Sequence, residues 1–351
     1  MTKIAVGMSG GVDSSAAAAR LIEQGFDVTG LTLKLCTGIC APTSDAEDAA
    51  DICRQLGIPH CTADFSDKFK EYVISPFINE YLNGCTPNPC IVCNRHIKFG
   101  AMLQFALKTL SCDKIATGHY AQIKKDSGRF LLCRAADTSK DQTYVLYSLT
   151  QSQLSQLELP LGALTKEQIR EKARSLSLKV ADRPDSQDIC FVPDGDYAAF
   201  IERMSEKVSP CGNFIDESGN VLGKHFGIIR YTVGQRKGLG IALGAPAYVI
   251  SKDSASNTVT LSTDESRLFY KRVEVKDVNL IAADSLSDGT AVTAKLRYKH
   301  KDQPARIFST GENRIILEFS SPQRAPAPGQ AAVFYDGDIV VGGGTIVKGI
   351  D

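Results

Sequence analysis

Apolar positions in the first third of the chain come in short runs separated by amphipathic stretches. Residues 4–8 form an apolar run of five, followed after Ser9 by two glycines and then by an alanine-rich stretch over residues 15–21. That order predicts strand, tight turn and helix. A second strand is expected over residues 26–35. Over residues 44–57 the pattern predicts a helix: Ser44 and Glu47 have capping-box spacing, Ala49, Ile52, Cys53 and Leu56 recur at helical period, and Gly57 closes the segment. Residues 58–65 then read as a strand, 66–82 as a helix interrupted at Pro76, 98–110 as a helix and 114–121 as a strand. Alternation of this kind indicates an α/β domain with a doubly wound parallel sheet. Ligands of such sheets sit at the carboxyl ends of the strands, which directs attention to residues 33–40, Asp64, Gly118, His119 and Tyr120.

The texture changes after a helix expected over residues 165–178, where Thr165 and Gln168 repeat the capping-box spacing. Beyond about Ser209 helical periodicity nearly disappears. Residues 258–262, 291–298, 314–319 and 331–334 alternate or are β-branched, with turn signals at 217–220, 253–254, 311–313 and 335–338 and a turn-rich connection over 322–328. Small antiparallel β-barrels account for this pattern. The expected organisation is a nucleotide-binding catalytic domain over residues 1–205, a central β domain over 206–278 and a C-terminal β-barrel over 279–351.

With 351 residues the chain has room for two or three domains. Its 40 basic and 40 acidic residues cancel, so a nucleic-acid partner needs a local basic patch rather than a global field. One dense patch exists: Lys295, Arg297, Lys299, His300, Lys301 and Arg306, with Tyr298 interleaved. Strand alternation would put Lys295, Arg297, Lys299 and Lys301 on one face. No apolar run approaches bilayer-spanning length and Met1-Thr2-Lys3 opens no signal peptide, so a soluble cytoplasmic protein without a membrane partner is expected. Eleven cysteines in that compartment argue for reactive thiols, metal ligation or plain burial rather than a disulfide scaffold.

The turn Ser9-Gly10-Gly11-Val12-Asp13-Ser14 has the makings of an anion site. Its glycines let the backbone approach a phosphate, Ser9 and Ser14 add hydroxyl donors, and the helix behind it contributes unpaired N–H groups and a favourable dipole. No Gly-Lys-Ser/Thr follows, and the spacing is not that of a dinucleotide turn. Asp13 is the acidic residue available to Mg2+ or a hydroxyl. Cys85, Cys90 and Cys93 surround Thr86-Pro87-Asn88-Pro89, a segment proline-rich enough to read as a loop. Cys90-x-x-Cys93 is open to four readings: a redox pair, part of a metal or iron–sulfur site, a nucleophile beside a supporting thiol, or inert burial. A structural zinc site is the least favoured, because zinc wants four ligands and there is a single C-x-x-C. Cys190 lies far along the chain in the polar stretch Asp185-Ser186-Gln187-Asp188-Ile189-Cys190-Phe191, and Cys36-x-x-x-Cys40 is a further pair of interest.

The loop matches, letter for letter, the S-G-G-x-D-S signature of pyrophosphate-loop ATP enzymes, which split ATP between the α and β phosphates. Further matches occur in order: Thr86-Pro87-Asn88-Pro89, Cys93-Asn94-Arg95, Ile97-Lys98-Phe99, Thr117-Gly118-His119-Tyr120, Lys140-Asp141-Gln142, Ile189-Cys190-Phe191, Thr232-Val233-Gly234-Gln235-Arg236, Pro322-Gln323-Arg324-Ala325 and Pro328-Gly329-Gln330-Ala331. Together they resemble the tRNA-specific 2-thiouridylase family from end to end. The resemblance implies ATP-dependent adenylation of the C2 oxygen of the wobble uridine, then transfer of persulfide sulfur to give 2-thiouridine, AMP and pyrophosphate. It implies contacts to ATP, with Mg2+, from Gly7, Met8, Ser9, Gly10, Gly11, Val12, Asp13, Ser14, Leu33 and Gly118. It implies tRNA contacts from His119, Lys140, Asp141, Gln142, Arg297, Tyr298 and Gln330, with Cys93 as nucleophile and Cys190 as persulfide carrier. The implied partners are the tRNAs for lysine, glutamate and glutamine and a cysteine desulfurase or sulfur-relay protein, the enzyme itself being a monomer. Many relatives carry aspartate at the position of Cys90; the cysteine here opens a second route, in which Cys90, Cys93 and Cys190 ligate an iron–sulfur cluster. A synthetase of the amidotransferase or argininosuccinate-synthetase type would share the loop but lack the two distant cysteines.

Overall fold

Ile4, Ala5 and Val6 have no exposed surface, which makes their strand, β1 (Lys3–Gly7), the centre of a sheet rather than an edge. The computed structural model describes residues 1–36, 44–178, 180–181, 189–206 and 208–351. Expectations on Cys40, on the Ser44 side chain and on residues 185–188 lie outside the described residues. The chain forms two compact units, the first comprising Met1–Val73, Cys90–Pro193 and Asp338–Val340, the second Ile74–Pro89, Asp194–Gly337 and Val341–Asp351.

From β1 the chain passes through α1 (Val12–Glu23), β2 (Asp27–Lys34), α2 (Ser44–Gln55), β3 (His60–Asp64) and α3 (Ser66–Phe69). A π-helical turn (Lys70–Ile74) leads into α4 (Ser75–Leu82), which takes Pro76 in its first turn and belongs to the second unit. The first unit resumes at Cys90, within α5 (Pro89–Cys93), and continues with a π-helical segment (Asn94–Met102), α6 (Leu103–Lys108) and β4 (Lys114–Ala116). Then come the hairpin β5 (Gln122–Asp126) and β6 (Arg129–Cys133), α7 (Gln151–Ser155), β7 (Leu157–Glu158) and α8 (Lys166–Ser175). The sheet is parallel, in the order β3-β2-β1-β4-β7. Strand order reverses between β1 and β4, so the loops leaving these two strands share one crevice.

Small residues let α1 lie close to its neighbours: Ala16, Ala17, Ala18 and Leu21 share a buried core with Ile169 and Ala173 of α8. Each large apolar side chain in it contributes about 1.5–3 kcal/mol. The capping box expected before α8 is present, with the Thr165 hydroxyl accepting from Gln168 N–H and Gln168 Oε1 accepting from Thr165 N–H.

Three local expectations are corrected. The segment read as a loop is helical from Pro89 onward, because a proline in the first turn gives up an N–H that would have no helical partner. The strand expected through residue 121 stops at Ala116. The β5–β6 hairpin was not expected; Ser127 and Gly128 turn it with φ of +47° and +87°.

In the second unit, α9 (Tyr197–Ser205), also not expected, is capped by Asp196, which accepts from Ala199 N–H at 2.9 Å. Its Tyr197 stacks on Tyr81 of α4, centroids 5.0 Å apart. Strands β8 (Gly212–Ile215), β9 (Val221–His225), β10 (Tyr248–Asp253) and β11 (Thr258–Ser262) form a sheet in the order β10-β11-β8-β9. The remaining strands are β12 (Phe269–Leu280), β13 (Thr290–Lys295), β14 (Gln303–Gly311), β15 (Arg314–Arg324), β16 (Ala331–Asp336) and β17 (Ile339–Ile350). They pair in the order β12-β15-β14-β13-β16-β17, and β12 pairs again with β17, which closes a barrel around Val273, Leu317, Phe319 and Phe334. The connection expected over residues 322–328 is strand as far as Arg324, with a register shift between Tyr270 and Arg272 that accommodates Pro322. Among the described residues no helix is long and apolar enough to cross a membrane.

Candidate active site

Gly10, at φ +69°, turns the chain sharply after β1. The turn is held by its own hydroxyls: Ser9 N–H donates to Ser14 Oγ at 3.3 Å, and the Ser14 and Ser15 hydroxyls donate to Gly11 O at 3.0 and 2.8 Å. Gly11 is the N-cap of α1 and supplies no side-chain cap, so the first turn keeps donors to offer an anion. Met8 and Val12 support this loop from beneath. Both side chains are buried, and Met8 N–H and O are bonded to Leu31 O and to the Thr32 hydroxyl. Gly7 ends β1 beside Met102 and Thr117, while Leu33 sits half-buried in β2 opposite Ala63.

Across the crevice, Gly118 follows β4. A Cβ there would lie 2.7 Å from Asp13 C and 2.9 Å from both Asp13 O and Ser14 N, so only glycine lets the two strand exits meet. Asp13 itself is held by two groups not foreseen in the sequence. Lys166 Nζ lies 2.7 and 2.9 Å from its two carboxylate oxygens, and the Tyr120 hydroxyl donates to Oδ1 at 2.6 Å. The hydroxyl partner expected for Asp13 is Tyr120, and Lys166 pairs with both of its carboxylate oxygens. One readable hint pointed to Lys166: a cation in the first turn of a helix opposes the helix dipole and needs a compensating anion.

The Lys140-Asp141-Gln142 stretch is anchored to the same region. Gln142 Oε1 accepts from Tyr120 N–H and Gln142 N–H donates to Tyr120 O, both at 2.8 Å. Asp141 is buried and accepts from Ala135 N–H and the Thr143 hydroxyl, which makes it a brace of this turn. His119 is buried too, with Nδ1 2.7 Å from Thr117 Oγ1 and its ring against Phe99. Burial, reinforced by Lys98, holds its proton affinity well below the ordinary imidazole value, so the ring is neutral at neutral pH.

Cys90 and Cys93 lie three apart on α5, and the π winding beyond it puts Lys98, five residues after Cys93, on the thiol side. Burial pushes the Cys93 thiol up to about 12, with Lys98 pulling the other way and Cys190 and Cys90 adding to the rise. The Cys90 and Cys190 residues are exposed, yet protein packed around their thiols raises both, again opposed by Lys98. Two cysteines far apart in sequence thus share one electrostatic neighbourhood. The turn bearing Cys190 is pinned by Phe191, whose buried ring meets Phe69 edge-on at 5.6 Å. Among the described residues no group of three or more Cys, His, Asp or Glu side chains is placed to hold a metal ion. The iron–sulfur route therefore gains no support. Lys98 stands out in the sequence only as part of a matching string, which attaches no role to it.

The remaining candidates lie in the second unit. β13 ends at Lys295, and His300 N–H donates to Arg297 O, so residues 296–301 turn instead of alternating along a strand. Arg297 is half-buried, its guanidinium donating to Ala325 O at 2.8 Å and Val233 O at 3.5 Å; it braces two loops rather than joining a face of free cations. Tyr298, Lys299, His300 and Lys301 are exposed beside it. The Gln330 side-chain amide donates to Thr86 O at 2.8 Å, and Thr86 N–H donates to Pro328 O at 2.8 Å.

Comparison with known proteins gives three matches to family profiles. A profile described as "tRNA methyl transferase HUP domain" matches residues 2–194, "tRNA methyl transferase PRC-barrel domain" matches 198–263 and "Aminomethyltransferase beta-barrel domain" matches 270–346. The "tRNA-specific 2-thiouridylase MnmA" of Acetivibrio thermocellus is 51% identical over 98% of this chain and 99% of its own length. The protein of the same description from Clostridioides difficile is 49% identical over 99% of each. Among solved structures, a 4-thiouridine synthetase–RNA complex with bound ATP is 16% identical, covering 57% of this chain and 50% of that one with a TM-score of 0.37.

Proposed function

Because the chain belongs to the tRNA-specific 2-thiouridylase family, we propose that it replaces the C2 oxygen of the wobble uridine of tRNA with sulfur carried as a persulfide. ATP bound at the turn after β1 supplies the AMP group that makes the C2 oxygen able to leave. Ser9, Gly10, Gly11 and Ser14 line the phosphates, Gly118 lets them approach, Gly7, Met8 and Val12 shape the loop, and Leu33 lies on the adenine side. With both Asp13 oxygens on Lys166, no step is assigned to a magnesium ion held by the protein.

The observation that supports the reading is the mutual electrostatic influence of Cys93, Cys190 and Lys98, in the unit that also bears this loop. Exposed Cys190 receives sulfur from a desulfurase or relay protein. Its outer sulfur bonds to C2 as AMP departs with the oxygen. Cys93 then attacks the Cys190 sulfur, the S–S bond to the delivered sulfur breaks, and the electron pair stays on the new thiocarbonyl. A Cys93–Cys190 disulfide remains, which an external dithiol reduces. Lys98 favours the Cys93 thiolate that burial opposes. His119, Lys140, Asp141, Gln142, Arg297, Tyr298 and Gln330 shape or contact the RNA, whose source is the tRNAs for lysine, glutamate and glutamine, with a monomeric enzyme acting in the cytoplasm.

Mass spectrometry after incubation with a desulfurase and cysteine tests this. Cys190→Ser should carry no persulfide, Cys93→Ser should load sulfur yet make no 2-thiouridine, and Cys90→Ser should keep substantial activity. Persulfide on Cys93 with none on Cys190 overturns the roles, and AMP formation that depends on glutamine or aspartate instead of tRNA overturns the function.

A further inference from the structure

Tyr72 and His96 lie face to face on the first unit, ring centroids 5.2 Å apart and planes within 5° of parallel. Tyr72 is 39% exposed and His96 is exposed as well. The pairs Phe65–Phe105, Phe69–Phe191 and Phe99–His119 of the same unit meet at 52° to 85°, the tilted and edge-on geometry of core packing. A parallel, solvent-exposed pair can extend its stack by one flat base laid on an outer ring face. Both rings are carried on π-helical turns, Lys70–Ile74 and Asn94–Met102, a winding that recurs where a side chain is placed for function. His96 comes three residues after Cys93, so the stack stands within a turn of the thiol helix. Arg95, next to it, is exposed. Burial and Arg95 hold the His96 proton affinity below its ordinary value, which favours the uncharged ring at neutral pH. Lys70 and Glu71, the two residues before Tyr72, carry opposite charges.

We propose that Tyr72 and His96 form a stacking platform for the unpaired nucleobase next to the target uridine, with Arg95 facing its phosphate. Recognition of RNA loops rests on bases splayed onto aromatic rings, and a uridine drawn toward Cys93 exposes its neighbour's face. The platform rests on the tRNA reading and adds to it the place where the neighbouring base docks.

The test uses an anticodon stem-loop RNA with 2-aminopurine beside the wobble uridine. Wild-type protein should quench its fluorescence. Tyr72→Ala and His96→Ala should lose the quench and raise the KM for tRNA by about 5- to 100-fold while kcat at saturating tRNA changes little. Tyr72→Phe and His96→Phe should retain both, which a hydrogen-bonding role would not allow. Alanine variants with wild-type melting temperature, quench and KM overturn the platform and leave the function standing. A wild-type protein that binds no such RNA removes the tRNA reading, and the platform with it.

Discussion

Asp13→Asn and Lys166→Met remove the two halves of one ion pair, and the structure ranks their costs. Lys166 retains 11% of its side-chain exposure and Asp13 32%. Breaking a fully buried pair costs about 3–5 kcal/mol, because one charge is left without its partner. In Lys166→Met the carboxylate keeps the Tyr120 hydroxyl at 2.6 Å and a third of its surface in water, which lowers the cost to about 1–2 kcal/mol. In Asp13→Asn the more deeply buried ammonium loses the carboxylate charge and retains the Tyr120 ring face at 5.6 Å, giving about 2–4 kcal/mol. At roughly 2–4 °C per kcal/mol, the melting temperature of this unit should fall further in Asp13→Asn than in Lys166→Met. The double variant should cost less than the sum by about 1–3 kcal/mol. Both single variants should abolish AMP formation and leave tRNA affinity within about threefold, since phosphate contacts dominate RNA binding. Additive costs, or Lys166→Met as the more damaging change, would refute the pairing as the reason Asp13 is held.

Gly118→Ala should fold by circular dichroism yet slow AMP formation by about 100-fold, because its Cβ would displace the first turn of α1; an unchanged rate removes the close approach from the mechanism. The Cys93 thiol stays protonated in the folded protein to about 12 against 9.0 unperturbed, so its contribution to stability is complete below pH 9 and lost as pH rises toward 12. Cys93→Ala should therefore flatten part of the alkaline decline, and peptide mapping after iodoacetamide at pH 8 should find Cys90 and Cys190 modified before Cys93. Lys252, which donates to Tyr231 O at 2.6 Å, is lowered by burial from 10.5 to about 8. Between those values the unfolded chain holds the extra proton, so stability rises with pH there; the stability of Lys252→Met relative to wild type should be highest at pH 7 and decline toward pH 10.

Signals that are local and repeated were legible in the sequence. The apolar run, the glycine pair and the alanines located β1, its turn and α1, and Thr165 with Gln168 marked the start of α8. Pro89 misled because the same residue that forbids a helix interior is welcome at a helix start, and the residues on its C-terminal side decide between the two. Position 297 is a basic residue in a basic run, and nothing nearby reveals that carbonyls 28 and 64 positions away claim its guanidinium. Lys166 and Asp13 are 153 positions apart, a pairing that only the parallel sheet's strand order creates. That Cys93 and Cys190 work as a pair is an implication of the resemblance alone, since their spacing carries no period that could imply it.

Thr86 is gripped at both its backbone groups by the loop that contains Pro328 and Gln330, the latter 244 positions later in the chain. On the ribosome, the stretch just ahead of the Cys90–Cys93 helix is made long before its clamp. Until then both groups are left to water, and these two hydrogen bonds of the second unit cannot form. Translation order places an earlier segment under the control of a much later loop. A stall in synthesis before residue 328, or a protease that cuts ahead of it, acts on residue 86 without touching it.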